Sequence, residues 1–296
     1  MMSGPLVSVV MATWNGIAFL EEAVTSVINQ SLQEFEFIIV DDGSTDGSLD
    51  LLRQYARWDP RINIVSQAHA GLVEALNRGC ALARGRYIAR LDSDDIAKPQ
   101  RLEIQVRYLD EHPTTVLLGG HIECINENGD VLFMMAWPGS TDGLHDYMLL
   151  DCCVSHTTVM FRRDVFVRLG GYRSEFRHAE DYDLFLRMSD KDVIDNLPLP
   201  LCQYRLHREQ VSMRDCEQQV ISGVGARIVT RHRRASHREP ILEGEYVGRG
   251  DLKRWGVDEQ RLESLIGEYY AAKNETTGGW RWTKLPFCRV IPSARK

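Results

Sequence analysis

The chain has 296 residues, 44% hydrophobic and 26% charged, enough to bury a large core and still carry an appended segment. Its formal net charge of -7 argues against a general nucleic-acid binder, which would neutralise phosphates with a dominant basic surface. Seven cysteines, odd in number, lacking a CxxC pair and with Cys152 beside Cys153, match neither a disulfide framework nor a structural zinc site, and read as reduced thiols of a cytoplasmic protein.

The first apolar stretch, Leu6 to Met11, is shorter than a membrane span and lacks the basic flank and cleavage site of a signal peptide; no later run reaches spanning length. Val7 to Met11 reads as a buried strand, after which Phe19, Leu20, Ala23, Val24, Val27 and Ile28 fall on one helical face. Phe35 to Val40 is a second strand, ended by Asp41, Asp42 and Gly43, with Ser44 and Asp46 as candidate caps for a helix through Tyr55. A third strand, Ile62 to Val65, precedes a helix from Leu72 to Ala83. The strand from Arg86 to Leu91 then runs directly into Asp92, Ser93, Asp94 and Asp95, and Pro99 opens a helix through Leu109.

Val116 to Ile125 and Val131 to Trp137 are expected to pair around the polar turn Asn126 to Asp130. Thr157 to Phe161 reads as a further strand and Glu180 to Met188 as a helix. In Val193 to Tyr204 prolines alternate with apolar residues, which suggests an extended segment near a sheet edge. Glu209 to Arg234 reads as a long helix, and Asp258 to Ala272 as another, followed by a glycine- and tryptophan-rich tail. The alternation predicts an α/β fold with a mostly parallel sheet flanked by helices and a helical C-terminal appendage.

Ligands of parallel α/β sheets bind outside the carboxyl ends of the strands. Three strands here end in polar or acidic clusters: Thr13-Trp14-Asn15, Asp41-Asp42-Gly43-Ser44 and Asp92-Ser93-Asp94-Asp95. No GxxxxGK loop is present, and Gly223-Val224-Gly225 lacks both a third glycine and a preceding strand, so phosphate must be held otherwise. Carboxylates two residues apart at a strand end suit a hard divalent cation, Mg2+ or Mn2+, which can neutralise a diphosphate. Taken singly, each acidic cluster is equally a capped or solvated turn. The segment His178-Ala179-Glu180-Asp181 opens an amphipathic helix, where a carboxylate can serve as a general base or simply face the helix dipole. Trp14 can stack on a base or fill ordinary buried surface; His156 and His207 can contact phosphate, metal or acceptor, although a lone histidine is more often structural.

In order and spacing, five segments together resemble family 2 glycosyltransferases of the type-A nucleotide-diphospho-sugar transferase fold. They are Val7 to Asn15, Ile39 to Asp46, Tyr87 to Asp95, Glu180-Asp181 and Tyr204-Arg205-Leu206-His207, within a match from about Val7 to about Ser212. The resemblance implies a transferase domain over 1–212, with a nucleotide-sugar half over about 1–98 and an acceptor half over about 99–212, followed by an extension over 213–296. It implies that Ala12 and Trp14 line the base pocket with Asn15 beside them, that Asp42 reaches a ring nitrogen of a uracil-type base, and that Asp92, preceded by Arg90, lies near the ribose or diphosphate. Asp94 matches the metal-binding aspartate. Asp181, beside Glu180, matches the base that deprotonates an acceptor hydroxyl for direct, inverting attack, and His207 falls near the diphosphate. The partners implied are a nucleotide-diphospho-sugar, UDP-linked by preference, and a glycan or lipid-linked acceptor of cell-surface polysaccharide synthesis.

Two other readings compete. A haloacid-dehalogenase-like phosphatase also places DxDx[TV] after an apolar strand, but Ile96 holds the fifth position here, and two strand-helix units precede a motif that belongs on the first strand. A catalytically silent sugar-binding protein is disfavoured by retention of both Asp94 and Asp181. Beyond Ser212 only local signals remain. Arg227, Arg231, Arg233, Arg234 and Arg238, with Trp280, Trp282 and Phe287, suit peripheral contact with an anionic cytoplasmic membrane face; a solvated helix face with a packed tail is the commoner meaning of such a pattern.

Overall fold

The structure is a computed structural model that describes residues 4–140, 143–210, 214–236, 238–240, 242, 244–274 and 289–292. Strands β1 (Val7–Thr13), β2 (Phe35–Asp41), β3 (Ile62–Ser66) and β4 (Tyr87–Arg90) form a parallel array in the order β3-β2-β1-β4. Helices α1 (Ile17–Ile28), α2 (Ser48–Trp58) and α3 (Leu72–Leu82) connect them. Both faces of the array are apolar. Val9, Met11, Phe37 and Ile39 pack with Leu20 and Val24 of α1 and Leu52 of α2, whereas Val10, Ile38 and Val40 pack with Ala75 and Leu76 of α3. Burial on two faces is why these strands read as unbroken apolar runs rather than alternating ones.

Beyond β4 the sheet is mixed. The short β8 (Met160–Arg162) lies antiparallel to β4, and β6 (Thr115–Ile125) antiparallel to β8. As expected from the polar turn between them, β7 (Val131–Ala136) folds back on β6. The long β9 (Val193–Arg205) runs parallel to β6 and also pairs with the two-residue β5 (Ile96–Ala97). Helices α4 (Arg101–Glu111), α5 (Leu144–Tyr147), α6 (Arg163–Arg168) and α7 (Glu180–Met188) complete this half. Over its paired length the sheet is mostly parallel, in agreement with the sequence.

The strand expected over Thr157 to Phe161 is only partly formed. Residues His156–Thr158 make a 3-10 turn, and the strand begins at Met160. The Thr157 carbonyl accepts from Cys202 Sγ (3.3 Å) and the Thr158 carbonyl from Gln105 Nε2 (2.8 Å), contacts that tie the turn to β9 and α4. The fully buried Arg101 tightens the same junction, donating through Nη2 to the carbonyls of Arg90 (2.6 Å) and Val159 (3.1 Å). At the opposite end of β4, a Cβ on Gly85 would sit 2.5 Å from the Ser8 backbone nitrogen and 2.7 Å from the Val7 carbonyl carbon. Backbone cannot rotate aside, so Gly85→Ala is expected to destabilise the fold by about 1–3 kcal/mol, the usual cost of overpacking. Urea titration of both proteins checks this, an unchanged midpoint being the contrary result.

The C-terminal segment departs further from expectation. The long helix begins at Cys216 rather than near Glu209, as α8 (Cys216–Ser236). It places Ile221, Val224, Ala226 and Val229 in one core with Tyr182 and Phe185 of α7. α9 (Arg249–Arg254) and α10 (Glu259–Asn274) pack on it through Leu252, Leu262 and Ile266, and the extension, expected to be helical, adds a strand, β10 (Arg289–Pro292), antiparallel to β7. Four of the five arginines are engaged within the chain. Arg233 and Arg234 hold Asp190 at 2.6 and 2.7 Å, and Arg227 and Arg231 donate to the carbonyls of Leu150 and Leu149. Arg238 is exposed. Trp280, Trp282 and Phe287 lie outside the described residues. Among the described residues no helix is long and apolar enough to cross a membrane.

Candidate active site

The carboxyl ends of β1 and β2 are stitched together before any ligand is considered. Asn15 adopts φ 52°, in the left-handed region that asparagine tolerates better than most residues. Its backbone N–H donates to Ser44 Oγ (3.0 Å), its side-chain carbonyl accepts from the Thr45 N–H (2.8 Å), and the Ile17 N–H donates to Asp46 Oδ2 (3.0 Å). Asp46 also accepts from the Ser48 N–H (3.0 Å) at the start of α2, but the N-cap position itself is Gly47, in the left-handed conformation, and Ser44 holds the neighbouring loop instead. The effect is to fix Trp14, half exposed, at the carboxyl edge of the sheet, where its ring stacks on His69 with centroids 4.4 Å apart. Ala12 lies one step inside, packed against the α3-side core.

Asp42 is buried beneath this edge and its carboxylate accepts three hydrogen bonds from the β3–α3 connection. Oδ1 accepts from Gln67 Nε2 (2.7 Å) and the Ala70 N–H (2.9 Å); Oδ2 accepts from the Gly71 N–H (2.8 Å) and meets His69 Nδ1 at 2.8 Å.

The acidic run after β4 divides by environment. Asp92 is ion-paired to Arg90. Asp95 is buried, with Oδ1 accepting the Arg205 N–H (2.8 Å). Asp94 presents Oδ2 to His207 Nε2 at 2.8 Å, while its backbone carbonyl is held by Arg205 Nε (3.1 Å). The three carboxylates offer oxygens within 4.8 Å of one another. Since Arg90 and the Arg205 backbone take up Asp92 and Asp95, the groups best placed to hold a divalent cation are Asp94 and His207. A carboxylate with an imidazole nitrogen suits Mn2+ at least as well as Mg2+.

A second carboxylate pair opens α7. Glu180 is buried and Asp181 is 23% exposed. Burial raises both, with repulsion from Asp181 adding to Glu180; Glu180 is pushed up to about 8 and Asp181 to about 6. At neutral pH Glu180 therefore keeps its proton and Asp181 is the ionised, more accessible partner, the division of roles that a general base requires. His156 lies behind them, its Nε2 2.8 Å from the Tyr172 hydroxyl and its Nδ1 3.8 Å from Asp181 Oδ2. Burial, reinforced by Arg90, holds its pKa well below the ordinary value, so it is neutral and its approach to Asp181 is no ion pair. Arg90 joins the clusters: nearly buried, it pairs with Asp92 and also lowers the carboxyls of Glu180 and Asp181.

Residues 8–170 match the family model described as glycosyl transferase family 2. The chain belongs to glycosyltransferase family 2. It is 32% identical over 208 residues to the O-antigen biosynthesis glycosyltransferase WbnJ of Escherichia coli, covering 69% of this chain and 81% of that one. Among solved structures, its fold is similar to that of Staphylococcus aureus TarS in complex with UDP-GlcNAc, with TM-score 0.59, 16% identity and coverage of 90% of this chain and 72% of the other. The mannosyltransferase PcManGT from Pyrobaculum calidifontis, in complex with GDP-Man and Mn2+, is similar to the same degree, with TM-score 0.59, 16% identity and coverage of 93% and 76%.

For this glycosyltransferase the sequence-predicted residues thus gather as Trp14 with Asp42, Asp94 with His207, and Asp181 with Glu180 and His156. Arg90, expected at the substrate, is almost wholly enclosed as the counter-ion between the second and third groups. Asn15 is placed as a loop-holding residue by its contacts with Ser44 and Thr45. Four participants carried no sequence signal on their own: His69 and Gln67 around Asp42, Tyr172 behind His156, and Arg205, which spans the Asp92–Asp95 loop, Glu22 of α1 and the β6–β7 turn. The motif that contains Arg205 was visible, but its task follows only from the return of β9 to β5.

Proposed function

We propose that the protein is a metal-dependent, inverting glycosyltransferase that moves a sugar from a nucleotide-diphosphate donor, UDP-linked by preference, to a hydroxyl of a glycan or lipid-linked acceptor. The observation that supports this reading is Arg90, which is ion-paired to Asp92 and whose charge also lowers the carboxyls of Glu180 and Asp181, so that the acidic run after β4 and the carboxylate pair opening α7 lie within electrostatic reach of one guanidinium. Asp94 and His207 would hold a divalent cation, whose chemistry is to stabilise negative charge on the departing diphosphate. Trp14 would stack on the base and Asp42 accept its ring N–H. Asp181 takes the acceptor hydroxyl proton as that oxygen attacks the anomeric carbon; the bond to the diphosphate breaks with its electron pair on the leaving oxygen. An α-linked donor then yields a β-linked product. The UDP and GDP donors named for the similar folds, and the O-antigen biosynthesis named for the E. coli relative, support the donor class and the glycan acceptor.

The test is release of nucleoside diphosphate from UDP- and GDP-sugars with Mn2+ and a panel of glycan acceptors, followed by assignment of the product anomer. Because only the carboxylate form of Asp181 accepts a proton, turnover is expected to be low in acid, to rise as pH passes about 6, and to level off above. A rate that is flat from pH 5 to about 7, or a retained anomer, would contradict the assignment.

A further inference from the structure

We propose that His69 is a placeholder for the donor base: its imidazole occupies the two positions, beside Asp42 Oδ2 and against Trp14, that the base takes on arrival, and the base binds by displacing it. This rests on the donor site proposed above. The Asp42 carboxylate accepts three hydrogen bonds, from Gln67 Nε2 and the Ala70 and Gly71 N–H groups, which leaves one of its roughly four lone-pair positions, on Oδ2. His69 stands against that position: its Nδ1 lies 2.8 Å from Oδ2 and bonds the Asp42 backbone carbonyl at 3.2 Å, which only accepts, so the ring carries its proton on Nδ1. For Asp42 Oδ2 to receive a ring N–H from a base, the imidazole must leave.

The three donors are fixed. Ala70 and Gly71 donate from the backbone at the entry to α3, and the Gln67 side chain is held at its other end by Arg78 Nη1 (3.1 Å to Gln67 Oε1). His69 alone is a half-exposed side chain, 52% accessible, that can swing into solvent. Its second contact points the same way. The imidazole lies against Trp14 with centroids 4.4 Å apart and planes inclined by 25°, a stacked arrangement with no space for another ring between them. Trp14 is the aromatic surface on which the base would stack. A planar ring with an N–H aimed at Asp42 and a face on Trp14 is, in both respects, what a pyrimidine would present.

Displacement lowers apparent affinity, since only the fraction of molecules with His69 swung out is competent to bind. UDP binding to wild type and His69→Ala, each with Mn2+, is measured by calorimetry, with GDP as a second probe. Removing the competitor is expected to tighten UDP binding by about three- to tenfold. In the wild type, the His69 ring-proton NMR signal, assigned by its absence in the variant, should lose the Trp14 ring-current shift as UDP is added. Equal or weaker UDP binding by His69→Ala overturns the placeholder, weaker binding meaning that His69 covers the bound base instead. Persistence of the ring-current shift at saturating UDP also overturns it. If neither protein binds any nucleoside diphosphate, the donor-site reading itself fails and the placeholder falls with it.

Discussion

Asp181→Asn is expected to leave donor affinity unchanged while lowering transfer by about two to four orders of magnitude, the usual worth of a positioned general base. Asparagine keeps the shape of the side chain, and its carbonyl can still accept the Tyr182 N–H that Asp181 Oδ1 accepts at 2.7 Å. What it lacks is a site for the acceptor proton. The rise of activity through pH 6 should disappear with it. A purely structural Asp181 predicts otherwise, because asparagine substitutes well at a helix start. Donor affinity and turnover on one preparation separate the two. Near-normal turnover would shift attention to Glu180 and His156.

Asp94→Ala should remove the Mn2+-dependent part of donor affinity, by at least about 100-fold, since even outer-shell partners of metal ligands are worth up to that much. Folding should not suffer. The Asp94 side chain has 30% exposure and, among the described residues, bonds His207, and the Arg205 contact beneath it is made to the backbone and survives truncation. Donor titrations with and without Mn2+, beside melting curves of the metal-free proteins, give the answer. Metal-dependent affinity equal to the wild type would take Asp94 out of the site.

The parallel half of the sheet was legible because apolar runs ending in Thr13-Trp14-Asn15, Asp41-Asp42 and Asp92 to Asp95 combine strand length with a polar stop, and tertiary contacts did not override either. The mixed half was less so. Thr157 and Thr158 have the β-branched character of a strand, yet form a 3-10 turn that Cys202 and Gln105, distant in sequence, tie to β9 and α4. Within the site, residues that follow a strand end announced themselves, whereas those acting through a partner did not. His69 sits in a loop with no pattern around it, and its relation to Asp42 arises only when β2 and β3 pair. Nor could sequence tell which of Glu180 and Asp181 stays ionised, because the difference lies in how deeply each is enclosed.

Asp181 stands in the first turn of a helix of nine residues, too short to persist in water on its own. That helix is fastened from outside the region matched by the family model, which ends at residue 170: α8 covers its flank with Ile221 and Val224, and Arg233 and Arg234 anchor Asp190 just past its end. The Asp42 and Asp94 loops therefore rest on the sheet itself, whereas the helix that carries Asp181 is braced by the appendage. On the role proposed above for Asp181, exchanging that appendage is expected to shift where an acceptor hydroxyl must stand to be deprotonated while leaving the donor loops in place, a route by which one nucleotide-sugar scaffold can be redirected to new acceptors.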